Sequence, residues 1–274
     1  MDYINGYLNY TGSKYKLLEQ ILPEMDYSKK CFIDLFAGSF VVGANVVDKY
    51  DKILANDIIP ELIGIHKKIL NDTDIFVDVV KNLSIPCKTS QDEYNSLRKS
   101  FNEEKTPEKL YALMLSCTNN MMRMSKKFMF NQTWGHRCFN DSTLKKIELF
   151  VNQVKPYKDK IHFLSKHFNE VQINKSCMVY IDSPYTGSEA GYNSYWAKDD
   201  DTKLYDYCKE LDKNGSSFML SGILGEHRDG IRWELIDKLI ADGYRYKTLD
   251  FNYEKTARIK NNKNSKEIII MNYD

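Results

Sequence analysis

The 274-residue sequence has no apolar run approaching the ~18–20 residues needed to cross a bilayer, and no basic start that leads into an apolar segment. Those absences exclude a membrane-spanning helix, argue against a secretory signal, and make a cytoplasmic protein the expectation. Cysteine is sparse: Cys31, Cys87, Cys117, Cys138, Cys177 and Cys208 stand singly, without a Cys-x-x-Cys pair or a histidine at metal-ligand spacing. Buried free thiols are expected, and no metal. Repeats and low-complexity tracts are missing. So are Gly-x-Gly-x-x-Gly and Gly-Lys-Ser/Thr, which argues against a dinucleotide or a nucleoside triphosphate as ligand. A formal net charge of +1 excludes indiscriminate attraction to polyanions and leaves local patches to be read window by window.

What is present is an alternation of periods. A helical pattern over Ser13–Met25 follows the loop Tyr10-Thr11-Gly12. A short β-prone run (31–36), a tight loop at Ala37-Gly38-Ser39 and a predicted helix over 40–50 come next, then a strand at 52–57 and a helix over Pro60–Leu70, with Pro60 suited to its first turn. From Thr73 to about Val154 the patterns are helical (Ile75–Leu83, Gln91–Phe101, Pro107–Cys117, Ser142–Val154) with no convincing strand. Strands return at 160–165, 177–182, 216–222, 244–251 and 266–273, with helices at Asp200–Leu211 and Arg232–Ala241. The expected architecture is α/β, a mostly parallel sheet with helices on both faces, interrupted by an all-helical insertion.

Open sheets of this kind hold ligands at the carboxyl ends of their strands. Gly38 lies in one such loop, letting a ligand approach the backbone, and Asp57 ends the next strand, where a carboxylate can accept both hydroxyls of a ribose. Either feature also has an ordinary structural explanation, a tight turn or a helix cap. A glycine-poor loop suits a nucleoside without phosphates. Between Glu108 and Asp141 there are five basic residues (Lys109, Arg123, Lys126, Lys127, Arg137) and no acid, interleaved with Asn120, Gln132, Phe128, Phe130 and Trp134. Arginine can read guanine, Asn or Gln adenine, and lysine can neutralise phosphate; a solvated loop is the bland alternative. A second window, 255–266, carries five more basic residues and reads as a hairpin able to grip a phosphate backbone. Asp182-Ser183-Pro184-Tyr185 follows the apolar run MVYI. It suits a turn; it equally suits two acceptors for an exocyclic amine beside a ring that stacks on a flat base.

Five short stretches agree in order and spacing: Tyr10-Thr11-Gly12-Ser13-Lys14, Phe32 through Gly38, Ala55-Asn56-Asp57-Ile58, Asn120-Met121-Met122-Arg123 and Asp182 through Tyr185. Together, over about residues 7–273, they resemble the Dam family of DNA adenine-N6 methyltransferases, its phage-encoded members in particular. The resemblance implies a Rossmann-like, S-adenosylmethionine-dependent catalytic domain (1–72 and 155–274) interrupted by a helical target-recognition domain (73–154). It implies that Tyr10, Gly12, Lys14, Asp34, Gly38, Asp57, Ile58, Phe168 and Asp182 hold the cofactor and that Asp182, Ser183, Pro184 and Tyr185 form the catalytic tetrapeptide. Asn120, Met121, Arg123, Lys126, Lys127 and Arg137 would contact double-stranded DNA at a site such as GATC, from which the target adenine is flipped out. Ser183 replaces the family's usual proline but supplies the same main-chain carbonyl; Ser39 stands where glycine or alanine is usual, and Thr133-Trp134 replaces a Pro-Phe pair.

The expected function is site-specific methylation of adenine N6 in duplex DNA, possible within restriction-modification beside a cognate endonuclease, by a monomer or weak dimer with no membrane partner. A cytosine-N4 or RNA amino-methyltransferase and a non-catalytic DNA-binding homologue stay open as alternatives.

Overall fold

The computed structural model describes residues 3–173, 176–184, 196–197, 199–225, 232–250 and 266–274. Strands β1 (Cys31–Asp34), β2 (Lys52–Asn56), β3 (Ile161–Leu164), β4 (Met178–Ile181), β5 (Ser217–Leu224), β6 (Arg245–Leu249) and β7 (Lys266–Met271) form one sheet in the order β3-β2-β1-β4-β5-β7-β6. The five strands from β3 to β5 are parallel, and β7 enters antiparallel between β5 and β6. From β1 the chain steps outward through β2 and β3, then returns to the other side of β1 as β4. The boundary between β1 and β4 is therefore a topological switch point, where loops leave in opposite directions and open a crevice.

The helices are α1 (Leu18–Ile21), α2 (Val41–Ala44), α3 (Pro60–Asn71), α4 (Thr73–Ser84), α5 (Gln91–Glu103), α6 (Pro107–Ser116), α7 (Asp141–Val154), α8 (Asp200–Lys213) and α9 (Glu234–Ala241). Strand side chains alternate, so successive residues feed different cores. Phe32, Met178, Tyr180 and Met219 face a large core shared with α1 to α7, whereas Ile33, Val179, Ile181, Phe218 and Leu220 face a smaller one shared with α8 and α9. Helix α6 is apolar nearly all round and is buried from Leu110 to Ser116 among α3, α4 and α5. It makes the helical insertion continuous with the core of the sheet. Thr106 caps it by accepting the Lys109 amide, and Ser90 caps α5 in the same way through Glu93. Among the described residues, no helix is long and apolar enough to cross a membrane.

Two local expectations need correction. The helix expected over 40–50 stops after Ala44, because the Asn45 side chain donates to the Val41 carbonyl (2.7 Å) and accepts the Ile4 amide (3.0 Å), replacing helical bonds with a tie to the N-terminal segment. The helix expected over Ser13–Met25 is broken into a 3-10 turn, the four-residue α1 and a second 3-10 turn that contains Pro23, which has no amide to donate.

Candidate functional site

Three strand ends deliver carboxylates to the switch-point crevice. Asp34 closes β1, Asp57 follows β2, and Asp182 follows β4. They are near enough that the charges of Asp182 and Asp57 both disfavour ionisation of Asp34. Asp34 is 2% exposed, and among the described residues its carboxylate receives one long bond, from the Gly43 amide at 3.3 Å. Burial, then the neighbouring acids, push its pKa up to about 7. Asp57 is better satisfied: Oδ1 accepts from the Ile59 amide and Oδ2 from the Gly38 amide, both at 3.0 Å. Burial nevertheless raises its pKa to about 6, against the pull of those amides.

Gly38 is buried and left-handed (φ 48°), and a Cβ there would stand 2.9 Å from the Tyr10 ring. Only glycine lets the loop after β1 pass under Tyr10 in this conformation. The loop around Gly12 contributes from the other side: Lys14 Nζ donates to the Gly12 carbonyl at 3.1 Å and to Asp182 Oδ1 at 2.6 Å. The Lys14 and Asp182 side chains are 13% and 26% exposed, so this is a half-shielded ion pair rather than a surface one. Burial alone would weaken the charge on Lys14, but the carboxylates of Asp182 and Glu267 outweigh it and raise its pKa. Ser183 is buried with its hydroxyl unpartnered among the described residues, while Ile58 and Pro184 are half-buried at the rim. Phe168 is buried, its ring flanked by Phe36 and stacked on Trp196 at 5.5 Å. Tyr185 and most of the 255–266 window lie outside the described residues.

The basic window folds as an irregular excursion pinned by two isolated bridges, Cys117 to Trp134 and Met124 to Phe130. Its interior residues anchor it. Trp134 Nε1 donates to the Cys87 carbonyl (2.6 Å), Phe130 exchanges two bonds with the Asn102 amide, and Tyr94 donates to the Gln132 carbonyl (2.7 Å). Asn119, Asn120, Phe128 and His136 all have positive φ, a concentration of costly backbone in one excursion. Gly135 passes so close to the Cys117 carbonyl group that an added Cβ would lie 2.3 Å from it. Gly135→Val is therefore expected to destabilise the protein by about 2–4 kcal/mol, read as a lower midpoint in urea, because rigid backbone rather than a movable side chain must give way. Arg123, Lys126, Lys127 and Arg137 project into solvent, and Arg137 reaches Asn120 Oδ1 at 3.3 Å. Met121 is half-buried.

The structure thus gathers Tyr10, Gly12, Lys14, Asp34, Gly38, Asp57 and Asp182 at one crevice and sets the basic residues on a separate, braced excursion. Sequence reasoning missed Tyr7, Phe40 and His66, which underlie the Gly38 loop; no local motif marks them, since Tyr7 and His66 meet across 59 positions.

An α/β sheet with acids and a glycine loop at its switch point, beside a basic helical segment, is an arrangement suited to a nucleoside-type ligand. Residues 10–256 match the D12 class N6 adenine-specific DNA methyltransferase family, and the chain belongs to that family. It is 29% identical to the type II methyltransferase M.FokI of Planomicrobium okeanokoites over 99% of its own length and 43% of that protein's. It is 26% identical to the type II methyltransferase M.MjaIII of Methanocaldococcus jannaschii over 80% and 84% of the two chains. It is 22% identical to the DNA adenine methylase of Salmonella typhi over 85% of each. The chain therefore spans less than half the length of M.FokI and most of the other two. The family depends on S-adenosylmethionine, and the residues fit that cofactor: Gly38 brings bare backbone to the loop after β1, and Asp34 is a buried carboxylate whose bond from the Gly43 amide is long.

Proposed function

We propose that this chain methylates N6 of adenine in double-stranded DNA. S-Adenosylmethionine supplies an electrophilic methyl on a sulfonium centre. The chain's own residues orient that centre, hold the base, accept hydrogen bonds from the amine's two N–H groups and take up the one proton it loses. Asp57 takes the ribose hydroxyls, Asp34 offsets the cofactor's positive charge, and the backbone at Gly38, with Tyr10 and Gly12, encloses the methionine end. Ile58 and Phe168 border the adenine end.

The N6 amine is a weak nucleophile because its lone pair is delocalised into the ring. Asp182 and the main-chain carbonyl of Ser183 accept its two N–H groups, favouring the pyramidal nitrogen that can attack. Pro184 keeps Ser183 extended so that this carbonyl faces the base. Tyr185 stacks on the flipped ring and offsets part of the few kcal/mol that extrusion costs. Lys14 pairs with Asp182 Oδ1 and would give way to the amine there; transfer would form the nitrogen–methyl bond as the methyl–sulfur bond breaks, leaving a neutral thioether, and one N6 proton would pass by way of Asp182 to solvent. Residues 1–72 and 155–274 carry this chemistry; residues 73–154 read the DNA, with Arg123, Asn120 and Met121 towards bases and Lys126, Lys127 and Arg137 towards phosphates.

The observation that carries the reading is the pairing of Lys14 with Asp182 beside two buried acids at the switch point. Its site of action is a cytoplasmic genome, with the chain as a monomer or weak dimer, and a cognate endonuclease fits the company of the type II relatives. Sequencing the chromosome of a host expressing the chain, with detection of modified bases, is expected to show methylated adenine at one short sequence; modified cytosine alone, or none, contradicts the reading. Arg123→Ala is expected to cost about 1–3 kcal/mol of discrimination at one position of that sequence. Equal weakening on all sequences, measured by competition binding, would make Arg123 a phosphate contact.

A further inference from the structure

Gly38 is held at both of its backbone polar groups. Its amide donates to Asp57 Oδ2 at 3.0 Å, and its carbonyl lies 2.9 Å from His66 Nε2. A carbonyl only accepts, so Nε2 carries the imidazole proton and Nδ1 presents a lone pair, which takes the hydroxyl hydrogen of Tyr7. All of these groups are buried. Burial also lowers the His66 pKa to about 4, so the ring stays neutral and this tautomer persists at ordinary pH.

The same imidazole supports the loop sterically. It stacks parallel to Phe163 at 5.8 Å and meets Phe40 at 5.8 Å. Phe40 occupies the left-handed region (φ 57°, ψ 24°) at the start of α2, a costly conformation for a bulky residue that persists only where its surroundings over-determine it. His66 thus sits on α3 beneath Gly38-Ser39-Phe40, bonding the first residue and packing on the last.

We infer that His66, fixed in one tautomer by Tyr7, is the positioning residue that sets the Gly38 loop for the cofactor. The inference rests on the reading of that loop as the S-adenosylmethionine cradle. The Tyr7–His66–Gly38–Asp57 line couples the loop's height to the orientation of the ribose acid, so disturbing His66 displaces two cofactor contacts at once.

Two isosteric replacements separate positioning from packing. In His66→Gln the side-chain amide reproduces the Nε2 donor to Gly38 but loses the acceptor for Tyr7. In His66→Asn the shorter side chain reproduces the Nδ1 end and leaves the Gly38 carbonyl unpaired. Both lose the ring, so a purely structural role predicts similar damage. Isothermal titration with S-adenosylmethionine is expected to give His66→Gln within about threefold of the parent and His66→Asn weaker by roughly tenfold or more. Turnover at saturating cofactor should change far less than KM for cofactor. Tyr7→Phe, which releases the tautomer without touching the loop, is expected to weaken binding by about threefold, and by no further factor when added to His66→Asn.

Equal affinities for the Gln and Asn variants, or additive effects of Tyr7→Phe and His66→Asn, overturn the inference. If His66→Asn does not fold, Tyr7→Phe decides: unchanged affinity overturns the inference. Failure of the parent to bind S-adenosylmethionine sinks the reading of the loop itself, and the two failures are thereby told apart.

Discussion

Asp182→Ala is expected to lose methyl transfer by about 10³-fold or more, because the charged acceptor that favours the attacking form of the amine disappears from a partly desolvated position. Cofactor binding should be weakened far less than transfer and not lost, since the variant removes one of the cofactor's neighbours but leaves the Gly38 loop and Asp57 intact. Lys14 loses its main partner but keeps the Gly12 carbonyl and a route to water through its exposed edge. Asp182→Asn provides the finer comparison: it retains one acceptor but releases Lys14 from its ion pair. Single-turnover rates with bound cofactor and duplex DNA measure the loss directly, and full activity in Asp182→Ala would remove the residue from the chemistry.

The second large effect concerns stability and pH. Asp34 is pushed from its ordinary value of 3.8 to about 7 by burial and by the neighbouring acids. A carboxyl whose folded pKa is raised favours the folded state while it is protonated in both states, below about pH 4. It then withdraws that support as pH rises towards 7, where the folded protein must ionise a buried acid. The cofactor-free protein therefore loses on the order of 4 kcal/mol from this group between pH 4 and pH 8. Asp34→Asn keeps an acceptor for the Gly43 amide without the charge. It is expected to be more stable than the parent at pH 8, with the advantage gone by pH 4, as read from urea midpoints. The same substitution should weaken cofactor binding and flatten its pH dependence, because a cationic ligand beside an ionised Asp34 binds better as pH rises through 7. A variant less stable than the parent at pH 8 would mean that Asp34 is ionised and satisfied in the folded chain.

How much of this was legible in the sequence depended on the range of the interaction. Gly38 and Asp57 were legible because each is defined by its immediate neighbours, a turn after one strand and an acid at the end of the next. Asp182 was legible as a strand end, but its partner Lys14 lies 168 positions away and was placed only by the fold. The helix expected over 40–50 failed because the competitor, the Asn45 bond to Ile4, is tertiary and leaves no trace in local periodicity. The apolar run of β7 marked a strand, yet its antiparallel entry between β5 and β6 is decided by pairing partners, not by its own residues. In the basic window, composition identified a charged excursion but not that Trp134 would turn inward to bond Cys87 while Arg123 faced solvent.

The central claim, that the crevice moves a methyl group to adenine N6, is tested most directly by incubating the purified chain with methyl-tritiated S-adenosylmethionine and duplex DNA, then digesting the DNA to nucleosides. Label is expected in N6-methyl-2′-deoxyadenosine from the parent protein and absent with Asp182→Ala. Label in N4-methylcytosine, or no label in DNA from a parent protein that binds the cofactor, would contradict the account.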